Sequence, residues 1–399
     1  MKKLRVLSIG TLYPNDIAPN FGIFVERQME AVVRRGDVDL TMVNPLGLPP
    51  WPLTLHPRYR PLRSVAREET RKGVPVLRPC FRLLPGLGGR FNAAMVARAV
   101  LPLARELHAE APIDVIDAQF FYPDGPAAMR VAQALGVPLS VKARGADIHL
   151  WGSRPGTAQQ VVAAGRAADG LLAVSQGLAG DMAALGMPCE RITIHRTGLD
   201  RARFRPLDRA ECRARLGLPA DEPLLATVGA LIARKGQVFA IEALAQVPGA
   251  RLAMAGTGPD EAALRARAQE LGLADRVLFL GAVPHDDIPL LLNAADLFVL
   301  PTASEGLANA WVEALACGTP VVTTDIPGAS ELITAPAHGR LVARDAGAIA
   351  DAVRDLLAAP PSRDAVAAGA QGYSWEENAA QLVAHWRRLA GTLSGSLKI

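Results

Sequence analysis

With 399 residues, half of them hydrophobic and only 5% aromatic, the chain is too long for one ordinary core and suits two globular α/β domains. The formal charge of +4 is unevenly spread, because nine Lys or Arg between Leu46 and Phe91 meet only Glu68 and Glu69. Such a segment attracts phosphorylated ligands, acidic membranes or nucleic acid, and charge alone does not choose among them.

The start, MKKLRVLSIGTLYPND, reads as a first buried strand and not a signal peptide, since Arg5 breaks a short apolar run and no cleavage site follows. Leu4–Ile9 is that strand. The loop TLYPNDIAPNFG leads into a helix, IFVERQMEAVVRRG, with apolar positions at helical spacing. A loop after the first strand is where an open parallel sheet meets ligands, and Gly22 permits close backbone approach; a plain flexible loop is the alternative.

Asp39–Asn44 is the second strand. Residues 45–91 are rich in Pro and Arg with little periodicity and read as a functional loop or an excursion from the core. Within them FRLLPGLGGRF, Phe81–Phe91, interleaves apolar residues with arginines, which suits either an anionic membrane surface or an ordinary solvated lobe. No aromatic stacking platform accompanies this patch, so no nucleic acid is expected as a partner.

From Ala93 an α/β rhythm returns: helix Ala93–Ala109, strand Val115–Ala118, helix Gly125–Ala134, strand Leu139–Val141, then KARGADIHLWG. Strand Leu171–Val174 and strand Ile192–His195 complete a first half, with Ser175 placed to cap the intervening helix or to touch an acceptor. Thr197–Asp208 reads as a hinge. The second half alternates strands Leu224–Gly229, Arg251–Ala255 and Val277–Leu280 with helices, ending in a βαβ unit, LFVLPTASEGLANAWVEALACGTPVVTT, over Leu297–Thr324. The fold class expected is α/β, with two Rossmann-like domains facing across a cleft, 1–198 and 199–375.

Cys80, Cys189, Cys212 and Cys317 are isolated, with no C-x-x-C pair and no His at ligand spacing, so they read as reduced core thiols of a cytoplasmic protein. No metal site is expected. No later segment supplies the ~18 uninterrupted apolar residues that a bilayer-spanning helix needs, so none is expected.

Three strand-end loops of the second half carry chemistry. After Gly229 come Arg234 and Lys235, two adjacent cations that could clamp an anion or form a solvated basic turn. AGTGPDEAAL brings Gly256 and Gly258 to a helix start, which favours anions or acceptor groups. The βαβ unit carries Glu305 and Glu313. Eight residues of helix would separate these acids by ~12 Å and ~80°, enough to hold opposite ends of a long ligand.

SEGLANAWVEALACGTPVV, GALIARKG, AGTGPDEAAL and TGLDRARFRP together resemble the E-x7-E signature, the phosphate loop, the G-x-G-P turn and the interdomain junction of retaining, nucleotide-sugar-dependent glycosyltransferases of family 4. That family has the GT-B fold. YSWEENAAQLVAHWRRL is similar to its terminal helix, which implies that 376–390 packs back onto the first domain. The resemblance implies a nucleoside diphosphate sugar, UDP or GDP linked, as co-substrate with no other cofactor. Arg234, Lys235 and the amides of Gly306, Leu307, Ala308 and Asn309 would hold its diphosphate. Glu305 would face the sugar, as a poor neighbour for phosphate, and Glu313 would accept the ribose hydroxyls. Gly22, Gly229, Gly256 and Gly258 join the donor-binding candidates.

Glu305, Arg234, Lys235 and Arg144 form the candidate catalytic set. Many members carry His where this chain has Arg144, before Gly145; Arg cannot act as a base near neutral pH and suits phosphate binding or acceptor orientation. Asp147 and His149 are acceptor-side candidates, and as a lone histidine His149 also reads as a surface or packing residue. His195 and Arg196 replace a more usual Pro-Asn, for which the sequence offers no physical reason. The implied activity is retaining transfer of a hexose to a lipid-linked or cell-surface polysaccharide precursor, cytoplasmic and peripheral at the inner face of the cell membrane. A nucleotide-sugar epimerase and a non-catalytic nucleotide-sugar-binding protein are the alternatives.

Overall fold

The computed structural model describes residues 3–85 and 89–396, with side chains up to residue 391. The chain forms two compact units: one runs through Gly198 and resumes at Trp375, the other is Leu199–Ser374.

In the first unit the strands are β1 (Leu4–Ile9), β2 (Val38–Val43), β3 (Leu46–Leu48), β4 (Glu68–Arg71), β5 (Val74–Leu77), β6 (Cys80–Arg82), β7 (Val115–Ala118), β8 (Leu139–Ala143), β9 (Gly170–Ala173) and β10 (Ile192–Ile194). Eight of them form one sheet in the order β10-β9-β8-β7-β1-β2-β5-β4, and β3 pairs with β6 in a separate two-stranded ribbon. Every pair in the large sheet is parallel except β4 with β5. The central strands are continuous apolar runs because helices cover both faces of a parallel sheet.

Residues 45–91 are therefore only partly the excursion expected. The β4–β5 hairpin extends the main sheet beyond β2, and its turn holds Lys72 at φ 53°. Its basic charge is also partly internal: Arg78 is buried, donating to Asn44, the Pro14 carbonyl and Glu69, while Arg71 pairs with Glu26. Residues 86–88 of the Phe81–Phe91 segment lie outside the described residues.

The helix Ile23–Arg34 buries Val25, Met29 and Val32, an apolar face at helical spacing. Against the same core lie Ala379, Leu382, Val383, Trp386 and Leu389 of the last helix, Trp375–Ser396. Trp386 is fully buried and its Nε1 donates to Asp117 at 3.0 Å. Gly198 is required where it stands, because a Cβ there would lie 2.1 Å from the Trp375 ring.

The second unit holds β11 (Leu224–Val228), β12 (Arg251–Ala255), β13 (Val277–Gly281), β14 (Leu297–Leu300), β15 (Val321–Thr324) and β16 (Gly339–Val342), ordered β13-β12-β11-β14-β15-β16 and parallel throughout. In both sheets the chain reverses its winding direction at the first strand, β1 or β11. The crevice at the carboxyl ends of such strands is the usual ligand position. Cys212 and Cys317 are buried, but Cys80 and Cys189 are exposed, against the expectation of core thiols, because β6 and the turn before β10 lie at the surface.

Candidate functional site

In the second unit the loops after β11 and β14 bring Arg234, Lys235 and Glu305 together. Glu305 Oε1 accepts from Arg234 Nη1 at 2.7 Å and lies 2.6 Å from Lys235 Nζ. Burial alone would raise the Glu305 pKa; Lys235 and Arg234 outweigh it and hold the carboxylate below its ordinary value. All three charges share one oxygen, and the cluster carries a net +1.

The cluster is fixed from behind. Arg234 also donates to the Ser304 carbonyl, and its own carbonyl accepts from the Ala303 amide at 2.7 Å. Gly236, at φ 73°, admits the Pro301 carbonyl where a Cβ would sit 2.1 Å away. Arg344, just after β16 and outside the βαβ motif, clips the two loops together by donating to the carbonyls of Pro301 and Ala233 at 2.9 and 2.8 Å. No local signal marks Arg344, since its partners lie more than a hundred residues earlier or across a strand.

The glycine turn after β12 packs against the loop after β11. A Cβ on Gly256 would lie 1.9 Å from the Gly229 carbonyl, and one on Gly258 would lie 2.1 Å from that of Leu231. The close approach that these glycines permit is therefore to the neighbouring loop. Gly229 differs, since a Cβ there would meet only the Lys235 side chain, at 3.7 Å.

Glu305 precedes the helix, which begins only at Asn309. The helical estimate of its separation from Glu313 accordingly does not apply, because four of the eight residues are loop. Gly306, Leu307 and Ala308 are buried at this helix start, and Gly328 passes so close that a Cβ would lie 2.1 Å from the Gly306 carbonyl. Glu313 is mostly buried, and His285 Nε2 lies 3.0 Å from its Oε1, a partner that the sequence did not reveal.

In the first unit Arg144 follows β8 and is held on three sides. Its Nε donates to the Gln119 carbonyl at 2.8 Å, and its Nη2 to Gln119 Oε1 at 2.6 Å and Gln28 Oε1 at 3.1 Å. Its guanidinium lies over the Phe24 ring, 4.8 Å from the centroid. Burial lowers its pKa to about 10, which leaves it cationic near neutrality.

The acceptor-side candidates fare differently. Asp147 is fully buried and accepts from the amides of Phe121, Arg144, Gly145 and Ile148, so it shapes the loop and cannot meet an acceptor. His149 Nε2 is 2.8 Å from Asp181 Oδ2, which ties it to the helix Gln176–Ala184. Gly22, at φ 76°, is occupied by its own loop: a Cβ would lie 2.5 Å from the Leu12 carbonyl carbon. Ser175 caps the next helix by accepting from the Leu178 amide. His195 finds its reason here, bonded to Lys142 Nζ at 2.8 Å through Nδ1 and to the Asn378 carbonyl through Nε2.

Strand-end loops carrying paired cations and acids on parallel sheets define a nucleotide- or phosphate-handling class of α/β protein. Comparison with known proteins makes this specific. The profile "Glycosyl transferases group 1" matches residues 208–373, and "Glycosyltransferase Family 4" matches 55–203. A Bacillus subtilis protein assigned to teichuronic acid biosynthesis as glycosyltransferase TuaC is 32% identical over 88% of each chain. The chain belongs to the family 4 glycosyltransferases. D-inositol 3-phosphate glycosyltransferase of Mycobacterium tuberculosis is 39% identical over 50% of this chain and 44% of its own. Among solved structures, sucrose-phosphate synthase of Thermosynechococcus elongatus matches with TM-score 0.82 at 22% identity, covering 98% of this chain and 100% of that one. Anabaena HepE, solved in complex with UDP, matches with TM-score 0.70 at 22% identity over 99% of this chain and 100% of its own. Both share the GT-B fold with this chain.

Proposed function

We propose that the protein is a retaining, metal-independent glycosyltransferase that moves a hexose from a UDP- or GDP-linked sugar onto a lipid-linked or cell-surface polysaccharide precursor. The observation that carries the reading is the Arg234, Lys235 and Glu305 cluster at the strand ends of the second unit. It has a net positive charge for a leaving diphosphate and one carboxylate for the sugar end of the donor. Glu313, polarised by His285, takes the ribose hydroxyls. The name of the Bacillus subtilis relative supports a polysaccharide product, and the UDP complex of HepE supports a nucleotide donor.

Catalysis in this reading is chiefly positioning and electrostatic stabilisation. As the bond from the anomeric carbon to the diphosphate breaks, negative charge grows on the leaving oxygen beside Arg234 and Lys235, and the acceptor hydroxyl attacks from the same face, passing its proton to the departing diphosphate oxygen. The first unit takes the acceptor. A membrane-peripheral location accords with a lobe that exposes Trp51, Leu53 and Leu55 beside exposed Arg58, Arg60 and Arg63.

A thermal-shift screen with UDP, GDP and ADP sugars tests the donor. A ligand at a hundred times its dissociation constant adds about 2.7 kcal/mol of stability. NMR of the product's anomeric configuration tests retention, and activity in the presence of a chelator tests metal independence. An unmoved melting curve with all three donors at millimolar concentration would refute the donor assignment.

A further inference from the structure

The first unit contains a cation that no charged group answers directly. Every hydrogen-bond acceptor of the Arg144 guanidinium is a neutral amide oxygen, and among the described residues Arg144 forms no ion pair. The carboxylates around it are committed elsewhere. Asp147 serves backbone amides, Asp117 accepts from Ser8, Gln119 and Trp386, and Asp124 Oδ2 accepts from the Thr11 amide. Asp147, Asp117 and Asp124 act on the buried guanidinium through space only, which leaves room for a directly hydrogen-bonded anion.

A second observation points the same way. Gln28 is 1% exposed, and its Oε1 is taken by Arg144 and by Lys142 Nζ at 3.4 Å. That fixes the amide orientation and leaves Nε2 buried with no hydrogen-bond partner. The hydrogen bonds of the Arg144 guanidinium run through Nε and Nη2, and Nη1 makes none among the described residues without being one of the fully buried unpartnered atoms. Two donors in one constellation, at the carboxyl end of β8, call for a ligand made of acceptors.

We propose that Arg144 and Gln28 form an anion site which selects an acceptor carrying a carboxylate or phosphate. This rests on the reading that the first unit takes the acceptor. The sugar accepting the transfer, or the group linking it to its carrier, is then acidic. Arg144 is a specificity-determining residue, with Phe24 and Gln119 holding its plane so that Nη1 faces the ligand.

Isothermal titration of the full chain with glucose, glucuronate and glucose 6-phosphate tests this directly, since the probes differ chiefly in charge. Glucuronate or glucose 6-phosphate is expected to bind at least about tenfold more tightly than glucose, with the gap shrinking as salt rises. The anion preferred separates a carboxylate source from a phosphate source. Arg144→Gln is expected to abolish the preference, and Arg144→Lys to restore part of it. Circular dichroism melting reports whether each variant is folded, and the comparison of probes on the wild-type chain stands even if a variant is not. Equal affinity for all three probes, no binding of either anion, or a preference that survives in folded Arg144→Gln would overturn the proposal. A nucleotide-sugar thermal shift run alongside separates the readings: its absence with the anion preference intact removes the donor assignment and leaves this site standing.

Discussion

Glu305 Oε1 lies 2.6 Å from Lys235 Nζ and is shared with Arg234, so the acid at the head of the E-x7-E signature neutralises part of the charge that a diphosphate would meet. This gives the two partners opposite expected effects on binding. Glu305→Gln releases both cations and removes a repelling charge, so the nucleoside diphosphate product should bind more tightly while turnover falls. Lys235→Ala should weaken diphosphate binding and lower turnover by about a hundredfold, the scale seen when a stabilising group is removed from a developing anion. Calorimetry with the nucleoside diphosphate and a transfer assay would check both, and weaker binding in Glu305→Gln would contradict the arrangement.

Glu313 is held by His285 and mostly shielded from solvent. If it accepts the ribose hydroxyls, Glu313→Gln should raise the donor dissociation constant about tenfold or more, as for the loss of a hydrogen bond to a charged group. The turnover number should change less than the KM for donor. A variant with unchanged donor affinity would remove Glu313 from the ribose.

His385 is 3% exposed and packs on Gly170, where a Cβ would lie 2.5 Å from its ring. Burial first, then the charges of Arg388 and Lys142, lower its pKa from 6.5 to about 4. Between these values the unfolded chain binds more protons than the folded one, so this residue's effect is to reduce stability as pH falls from 6.5 and to level off below about 4. The full effect is about 3 kcal/mol. Asp124 works in the opposite direction, since burial raises its pKa to about 7 and stability is lost as pH rises towards that value. The comparison of wild type with His385→Asn therefore isolates the histidine: the difference in unfolding free energy should shift in the variant's favour on acidification. A difference independent of pH would show that His385 does not titrate as argued.

The lobe exposing Trp51, at 79% of its surface, with Arg58, Arg60 and Arg63 should bring the protein to anionic bilayers. Each such cation contributes about 1 kcal/mol near an acidic surface. Flotation with phosphatidylglycerol vesicles but not with phosphatidylcholine is expected, and Trp51→Glu should reduce it without moving the melting temperature. Equal flotation on both vesicle types would refute the electrostatic part.

The secondary structure of the second unit was open to reading because buried parallel strands are unbroken apolar runs closed by Gly or Pro, as in Leu224–Val228 before Gly229 and Leu297–Leu300 before Pro301. The hairpin in residues 45–91 was not, because Glu68–Arg71 is a polar edge strand with no apolar alternation. Its identity depends on pairing with Val74–Leu77, which in turn pairs with the distant β2.

The sequence by itself determined the fold class, the family and which residues lie in strand-end loops, since these follow from local patterns and motif spacing. Only the tertiary structure decided what each charged side chain touches. Glu305 meets Lys235, Glu313 meets His285, Asp147 meets buried amides, and the Arg144 guanidinium bonds two glutamines. The physical reason is that hydrogen-bond partners are chosen by distance in space. Strand order and loop packing bring together groups as far apart in the chain as Gln28 and Arg144, and no local pattern records that meeting.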